Sequence, residues 1–236
     1  MASGVSAGRW TMAVAVVLVG GALLSLAIPR SMAAWAAIGG DDVYARLGDV
    51  RPPSVHELEL GARAYERAID WKSSGELMIR LAVIEIARAQ TMAATAPERA
   101  TLLERSEREL VAGLSRDPVS GFGWLILASV RQQRDAPQRE IARAVVQSLD
   151  MSPMTRYLWL PRAQALFLYA AKLDPEELAG VQAHLRIIWN ADPSLRQSLL
   201  VASFSSGNLR LLSTALERDV EAKAELDKLM VSTPLR

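Results

Sequence analysis

The feature that most constrains this chain is a short phrase that occurs twice. Pro118 is followed six residues later by Trp124 and four further on by Ala128, and Pro153 is followed at the same spacings by Trp159 and Ala163. A weaker third copy reads Pro193, Leu199, Ser203. The prolines lie 35 and then 40 residues apart. A period of that size on a helical background marks stacked helical hairpins, none of which buries its apolar face alone. The background is helical by composition. Half of the residues are hydrophobic and only 6% are aromatic, and Ala and Leu, the strongest helix formers, dominate the apolar set. The expected fold is all-α: antiparallel helical hairpins stacked as a solenoid.

One membrane-crossing helix is expected ahead of that body. Thr11 to Ile28 runs 18 residues without a charge, between Arg9-Trp10 and Pro29-Arg30. At 1.5 Å per residue it spans roughly 27 Å, enough for a bilayer core. Trp10 sits where an interfacial aromatic sits, and the positive charge ahead of the segment favours an inside N-terminus and an outside body. The competing reading is a cleaved signal peptide, because Ser31-Met32-Ala33 and Ala34-Trp35-Ala36 both resemble small-x-small cleavage sites. A buried helix of a soluble protein is the third alternative. The sequence therefore divides into an anchor or signal over 1–38, a linker over 39–53 and a helical repeat domain over 54–236. The linker is read from the breaker signals Gly39-Gly40, Asp41-Asp42 and Pro52-Pro53.

The body begins at Ser54, an N-cap with Glu57 at capping-box spacing, and a helix is expected from about 55 to 71. Ser73-Ser74-Gly75 breaks it. The next helix, about 76 to 93, is apolar nearly all round except for Glu85, for which a surface pair with Arg88 is the plain reading. Pro97 opens a third helix, to about 114. The repeat follows. Helices are expected over 118–133, 138–149 and 154–173, with Pro161 a possible kink site in the last. Others begin at Pro175 and Pro193, and a final one over 209–230 presents Leu212, Leu216, Val220 and Leu229 inward and a charged outer face.

These residues resemble the tetratricopeptide repeat family. Trp124-x-x-Leu127-Ala128 and Trp159-x-x-x-Ala163 match the large and small positions of that family's first helix, and Pro118, Pro153 and Pro193 match its closing proline. Leu81-Ala82 resembles the same pair in a degenerate unit. The small residue of the second helix is not kept, since Ser106, Ile141 and Val181 occupy that register. The resemblance is to a divergent array over about 55–230; the alternative is a generic helical bundle whose prolines fall in step. An anchor followed by such a body is also similar to accessory proteins of bacterial envelope assembly, including those of exopolysaccharide or O-antigen production and of cytochrome c maturation. That resemblance implies a non-enzymatic scaffold or adapter in the bacterial inner membrane, single-pass, with its body in the periplasm. It also implies a membrane protein complex as partner and polysaccharide biosynthesis or export as setting.

The chemistry-bearing residues are few. The charges balance, 27 basic against 26 acidic, with no basic stripe, so no nucleic-acid partner is expected. There is no cysteine, and the two histidines, His56 and His184, have no carboxylate at ligand spacing. No phosphate loop occurs, and no cofactor, metal or catalytic residue is expected. Partner binding would fall on polar positions of the first helices: Arg131, Arg156, Arg162 and Gln164. The alternative function is an exported periplasmic enzyme, such as a glycan-modifying hydrolase with its site between hairpins. It would need two convergent carboxylates, with Glu85 and Glu140 as candidates.

Overall fold

The computed structural model describes the backbone of residues 4–232 and side chains from residue 12. Among the described residues every regular element is helical: eleven α-helices and four short 3₁₀ turns. The side chains of Arg9, Trp10 and Thr11 and the tail 233–236 lie outside the described residues, so the interfacial reading of Trp10 falls outside them too.

Helix α1 runs without interruption from Gly4 to Ala45, through Pro29. At 1.5 Å per residue its 42 residues reach about 63 Å. It is long and apolar enough to cross a membrane: its apolar window has mean hydropathy 2.4, and no residue of that window is buried. Its second half behaves differently. Ala33, Ala37, Gly40 and Val43 recur at helical spacing and are buried.

What buries them is α2, Val55–Trp71, which runs back antiparallel to α1. The two helices touch closely because their contact residues are small. A Cβ on Gly40 would meet the Tyr65 ring at 2.9 Å, and one on Gly61 would meet Val43 at 3.0 Å. Asp41 accepts hydrogen bonds from the Tyr65 hydroxyl at 2.8 Å and from Arg80 at 2.6 Å. Burial and the Asp41 carboxylate push the Tyr65 phenol above its usual range. The linker expected from residue 39 therefore begins later. Gly39-Gly40 and Asp41-Asp42, read as breakers, are helical packing and pairing positions. Only a 3₁₀ turn at Arg46–Gly48 and the Pro52-Pro53 passage separate α1 from α2.

The capping box at the head of α2 is formed. The Ser54 hydroxyl accepts from the Glu57 amide at 3.3 Å, and the Glu57 carboxylate accepts from the Ser54 amide at 2.8 Å. The Ser54 hydroxyl and amide, with Arg46, hold Glu57 down at about 2.

The chain continues through α3 Gly75–Gln90, α4 Pro97–Arg116, α5 Gly121–Gln133, α6 Gln138–Met151, α7 Trp159–Tyr169, α8 Pro175–Ala191, α9 Arg196–Ser205, α10 Leu209–Leu216 and α11 Val220–Ser232. From α1 to α7 each helix packs on its predecessor; beyond that, α9 packs on α7, and α10 on α8 and α9. The apolar interior is continuous along the chain. One cluster joins α1, α2 and α3, a second joins α3, α4 and α5, and the third runs from α5 to α11. Trp124 packs against both the second and the third.

The twice-repeated phrase has a physical basis. The Trp124 indole donates to the carbonyl of Pro118 at 2.9 Å, and the Trp159 indole donates to the carbonyl of Pro153 at 2.9 Å. Each bond closes the turn that leads into a helix and satisfies a donor that burial would otherwise orphan. Ala128 and Ala163 are buried, as expected of the small position, and so are Leu199 and Ser203 in the third copy.

Three helices differ from expectation. The one expected over 154–173 is α7, bracketed by 3₁₀ turns at Arg156–Leu158 and Ala170–Lys172. Pro161 falls in its first turn, where no amide is needed, so it starts the helix cleanly. The final helix is two, α10 and α11. Asp219 interrupts it, accepting from the Ala222 amide at 3.0 Å and from Asn190 at 2.8 Å, and Val220, expected inward, is exposed. Glu85 does not face solvent beside Arg88. It is fully buried, with Arg105 of α4 at 3.0 Å.

Candidate functional site

Helices α5, α7 and α9, each the first after a proline of the repeated phrase, line one side of the body. Between α7 and α9 lies an open hollow of about 620 Å³, walled by Leu160, Gln164, Leu168, Gln197 and Val201. Between α5 and α7 lies a second, of about 330 Å³, walled by Leu125, Ser129, Gln132, Gln164 and Leu168, with Ile141 of α6 also lining it. Gln164 and Leu168 border both, so the two form one groove across three helices. No charged residue lines either hollow, in a chain of which 22% is charged. Each helix contributes a glutamine: Gln132, Gln164 and Gln197. A primary amide both donates and accepts, so three of them along a groove match the donor and acceptor alternation of an uncharged polar chain.

Of the four polar residues expected to bind a partner, Gln164 alone lies in this groove. Arg131 is an inter-helix tie: its Nε donates to Glu107 of α4 at 3.0 Å, and Arg134 pairs with the same carboxylate. Arg156 is exposed and stacks over the Trp159 ring at 5.6 Å.

Arg162 is fully buried. Its Nε donates to Ser148 Oγ at 2.8 Å, one terminal nitrogen to the Ser152 carbonyl at 2.9 Å, and the other to Ser152 Oγ at 2.8 Å. Ser148 in turn donates to the Gly121 carbonyl at 2.5 Å. This cation joins the head of α5 to α6 and α7 without a carboxylate partner among the described residues, and burial lowers it to about 10. Gly121 makes the room: a Cβ there would stand 1.8 Å from Ser152 Oγ and 2.6 Å from Arg162. Arg162 is thus a structural lock, inaccessible to a partner. Its helical position matched a surface residue; the serines that receive it lie on another helix and a turn.

The carboxylates proposed for an enzyme do not converge. Glu140 is exposed on α6, and Glu85 is buried between α3 and α4. Burial pushes Glu85 up to about 7; Arg105 opposes the shift, Glu109 and Glu66 add to it, and Arg88 opposes it. A separate hollow of about 480 Å³ holds Glu76 with Asp117, beside Tyr44, Phe122 and Tyr157. There Arg80 lies 2.5 Å from Glu76. His184 is buried on α8 and held down to about 4 by burial and by Arg162. Among the described residues no group of three or more His, Asp or Glu is placed to hold a metal ion.

The groove had a trace in the sequence that the repeat reading passed over. Gln132, Gln164 and Gln197 are 32 and 33 residues apart, closer to one fixed period than the prolines are. No protein family model, curated protein or solved structure matches this chain. The fold and the groove thus carry the functional argument.

Proposed function

We propose that this chain is a membrane-tethered, non-enzymatic scaffold that binds a protein partner along the α5–α7–α9 groove. The observation that carries the proposal is the groove itself: continuous over three helices, apolar with spaced amides, and bare of charge. In this reading α5–α6, α7–α8 and α9–α10 are the hairpins of a divergent tetratricopeptide-like solenoid, and their first helices form its concave wall. Extended segments dock in such walls through apolar side chains and backbone hydrogen bonds.

The apolar half of α1 supports a single-pass anchor. The charge ahead of it supports a body on the far side of the membrane, the periplasmic side of a bacterial inner membrane. An envelope complex of polysaccharide biosynthesis or export is the setting this architecture fits.

A photo-crosslinking residue at Gln164 or Gln197 tests the groove in the host membrane. The expected result is one discrete adduct from both positions and none from Ile187, which is exposed on α8 outside the groove. The adduct should vanish in the Gln164→Glu, Gln197→Glu double variant, with the melting temperature unchanged. Crosslinks from Ile187 alone would place the partner surface elsewhere.

A second reading, an exported glycan hydrolase, has one observation in its favour: the hollow holding Glu76 and Asp117 among aromatics. An ion pair to Arg80 suits an ionised carboxylate, whereas that chemistry also needs a protonated acid. Hydrolysis of a cell-envelope glycan that disappears in Glu76→Gln would favour it over the scaffold.

A further inference from the structure

The anchor and the body are joined by a helix, not by a tether, and this fixes which part of the body meets the bilayer. The uncharged run ends at Ile28, and the same helix continues to Ala45. Trp35 lies seven residues beyond Ile28, roughly 10 Å along the axis. Its ring leans toward the helix N-terminus, as long helical side chains do, which lowers it into the headgroup layer. It is 72% exposed and makes none of the body's core.

Helix α2 returns antiparallel and ends beside it. Trp71, the last residue of α2, is 48% exposed and shares a cleft of about 400 Å³ with Met32, Trp35, Gly39 and Arg67. Two exposed tryptophans far apart in sequence thus converge at the depth where a bilayer ends. Indole rings concentrate at that depth because one side is apolar and the N–H is polar. Arg30, Arg67 and Lys72 are exposed around the cleft, and none is in an ion pair among the described residues. Asp70 is the acidic residue lining it.

We propose that this α1–α2 elbow is a lipid-seating surface. Trp35 and Trp71 insert at the headgroup level, and Arg30, Arg67 and Lys72 take anionic lipid phosphates. The body then rests on the bilayer in one orientation, with the α1–α2 turn pointing away. The proposal rests on α1 crossing the membrane.

The chain has no cysteine, so single-cysteine variants of the full chain carry one spin label each. They are reconstituted in vesicles of phosphatidylcholine with a minority of phosphatidylglycerol, and accessibility to oxygen and to an aqueous nickel chelate is read. A label at Ser73, next to Lys72, is expected at headgroup depth. A label at Val50, in the turn at the other end of the hairpin, is expected in water. A label at Val19 reports the span itself. Each cation held at an anionic leaflet favours the seated state by about fivefold, so Arg67→Glu with Lys72→Glu should move the Ser73 label toward water.

A Val19 label in lipid with a Ser73 label as water-exposed as Val50 overturns the seating and leaves the anchor intact. A Val19 label in water overturns the anchor and the seating with it. A Ser73 label shielded from both probes overturns the proposal in favour of a protein contact.

Discussion

Glu85 is a carboxylate placed where its charge is poorly served. Arg105 stands 3.0 Å away but is not aligned for a hydrogen bond, and neither carboxylate oxygen has a hydrogen-bond partner. The groups facing it are Arg88 on its own helix, Arg105 and Glu109 on α4, and Glu66 on α2. Burial outweighs both arginines, so the folded chain holds this proton up to about 7, against about 4.3 when unfolded. The sign follows from that order. The folded state binds the proton more tightly, so the stability linked to Glu85 is fully present below the unfolded value and is lost as pH rises from there through about 7. Glu85→Gln removes the loss. At pH 8 it should raise stability by roughly 1–3 kcal/mol, part of the shift being offset by the amide's own unpaired N–H. At pH 4.5 it should change little. His184 works against this trend: its folded value is depressed to about 4 by burial and Arg162, so its contribution is present above its unfolded value and is lost as pH falls. The informative measurement is therefore the difference between wild type and variant in urea titrations at the two pH values. A difference independent of pH would mean that Glu85 is ionised throughout.

At the scale of elements, the repeated phrase is a turn closed by an indole. Trp159→Ala removes a fully buried ring and should cost about 3–5 kcal/mol, whereas Trp159→Phe keeps most of the ring and loses the bond to Pro153. The second change should cost about 1–2 kcal/mol, mainly by orphaning that carbonyl. Denaturant melts of the two variants separate the packing from the turn. If Phe costs as much as Ala, the hydrogen bond rather than the ring holds the turn. The spacing of this phrase was legible because proline, indole and alanine each have one local task. Helix starts at Ser54, Pro97 and Asp174-Pro175 were legible for the same reason: caps and prolines act within a turn of the chain. What was not legible depends on partners far away in sequence. Gly39-Gly40 reads as a break until Ala64 and Tyr65 arrive to fill the space. Arg162 reads as a surface cation until Ser148 and Ser152 receive it. Glu85 reads as one half of a helix-surface pair until α4 covers it. In the groove, Gln164 was found by its polarity, and the arginines failed because charge found pairing, stacking or burial elsewhere.

At the scale of the whole molecule, the question is where the folded body begins. Breaker residues placed its start at Ser54. The packing places it within α1, before Ala33. Ala37 and Val43 belong to the same apolar cluster as Leu58, Ala62, Tyr65, Leu81 and Ile84, and Asp41 satisfies both the Tyr65 hydroxyl and Arg80. A chain starting at residue 54 would expose that face of α2 and leave Arg80 without Asp41. Exposing Leu58 and Tyr65 alone forfeits about 1.5–3 kcal/mol for each large apolar side chain uncovered. A chain starting at residue 31 keeps every one of these contacts and lacks only the bare apolar run. The expected outcome is that residues 31–236 fold cooperatively without detergent. Residues 54–236 should melt at a lower temperature by several degrees at least, or aggregate through the uncovered α2 face. Circular-dichroism melts of the two, with Asp41→Ala in the longer one as an intermediate case, decide the matter. Equal melting temperatures would mean that α1 merely lies against the body. A clear deficit in the shorter chain would mean that α1 is a structural member of the body, which makes the membrane helix and the groove parts of one rigid piece.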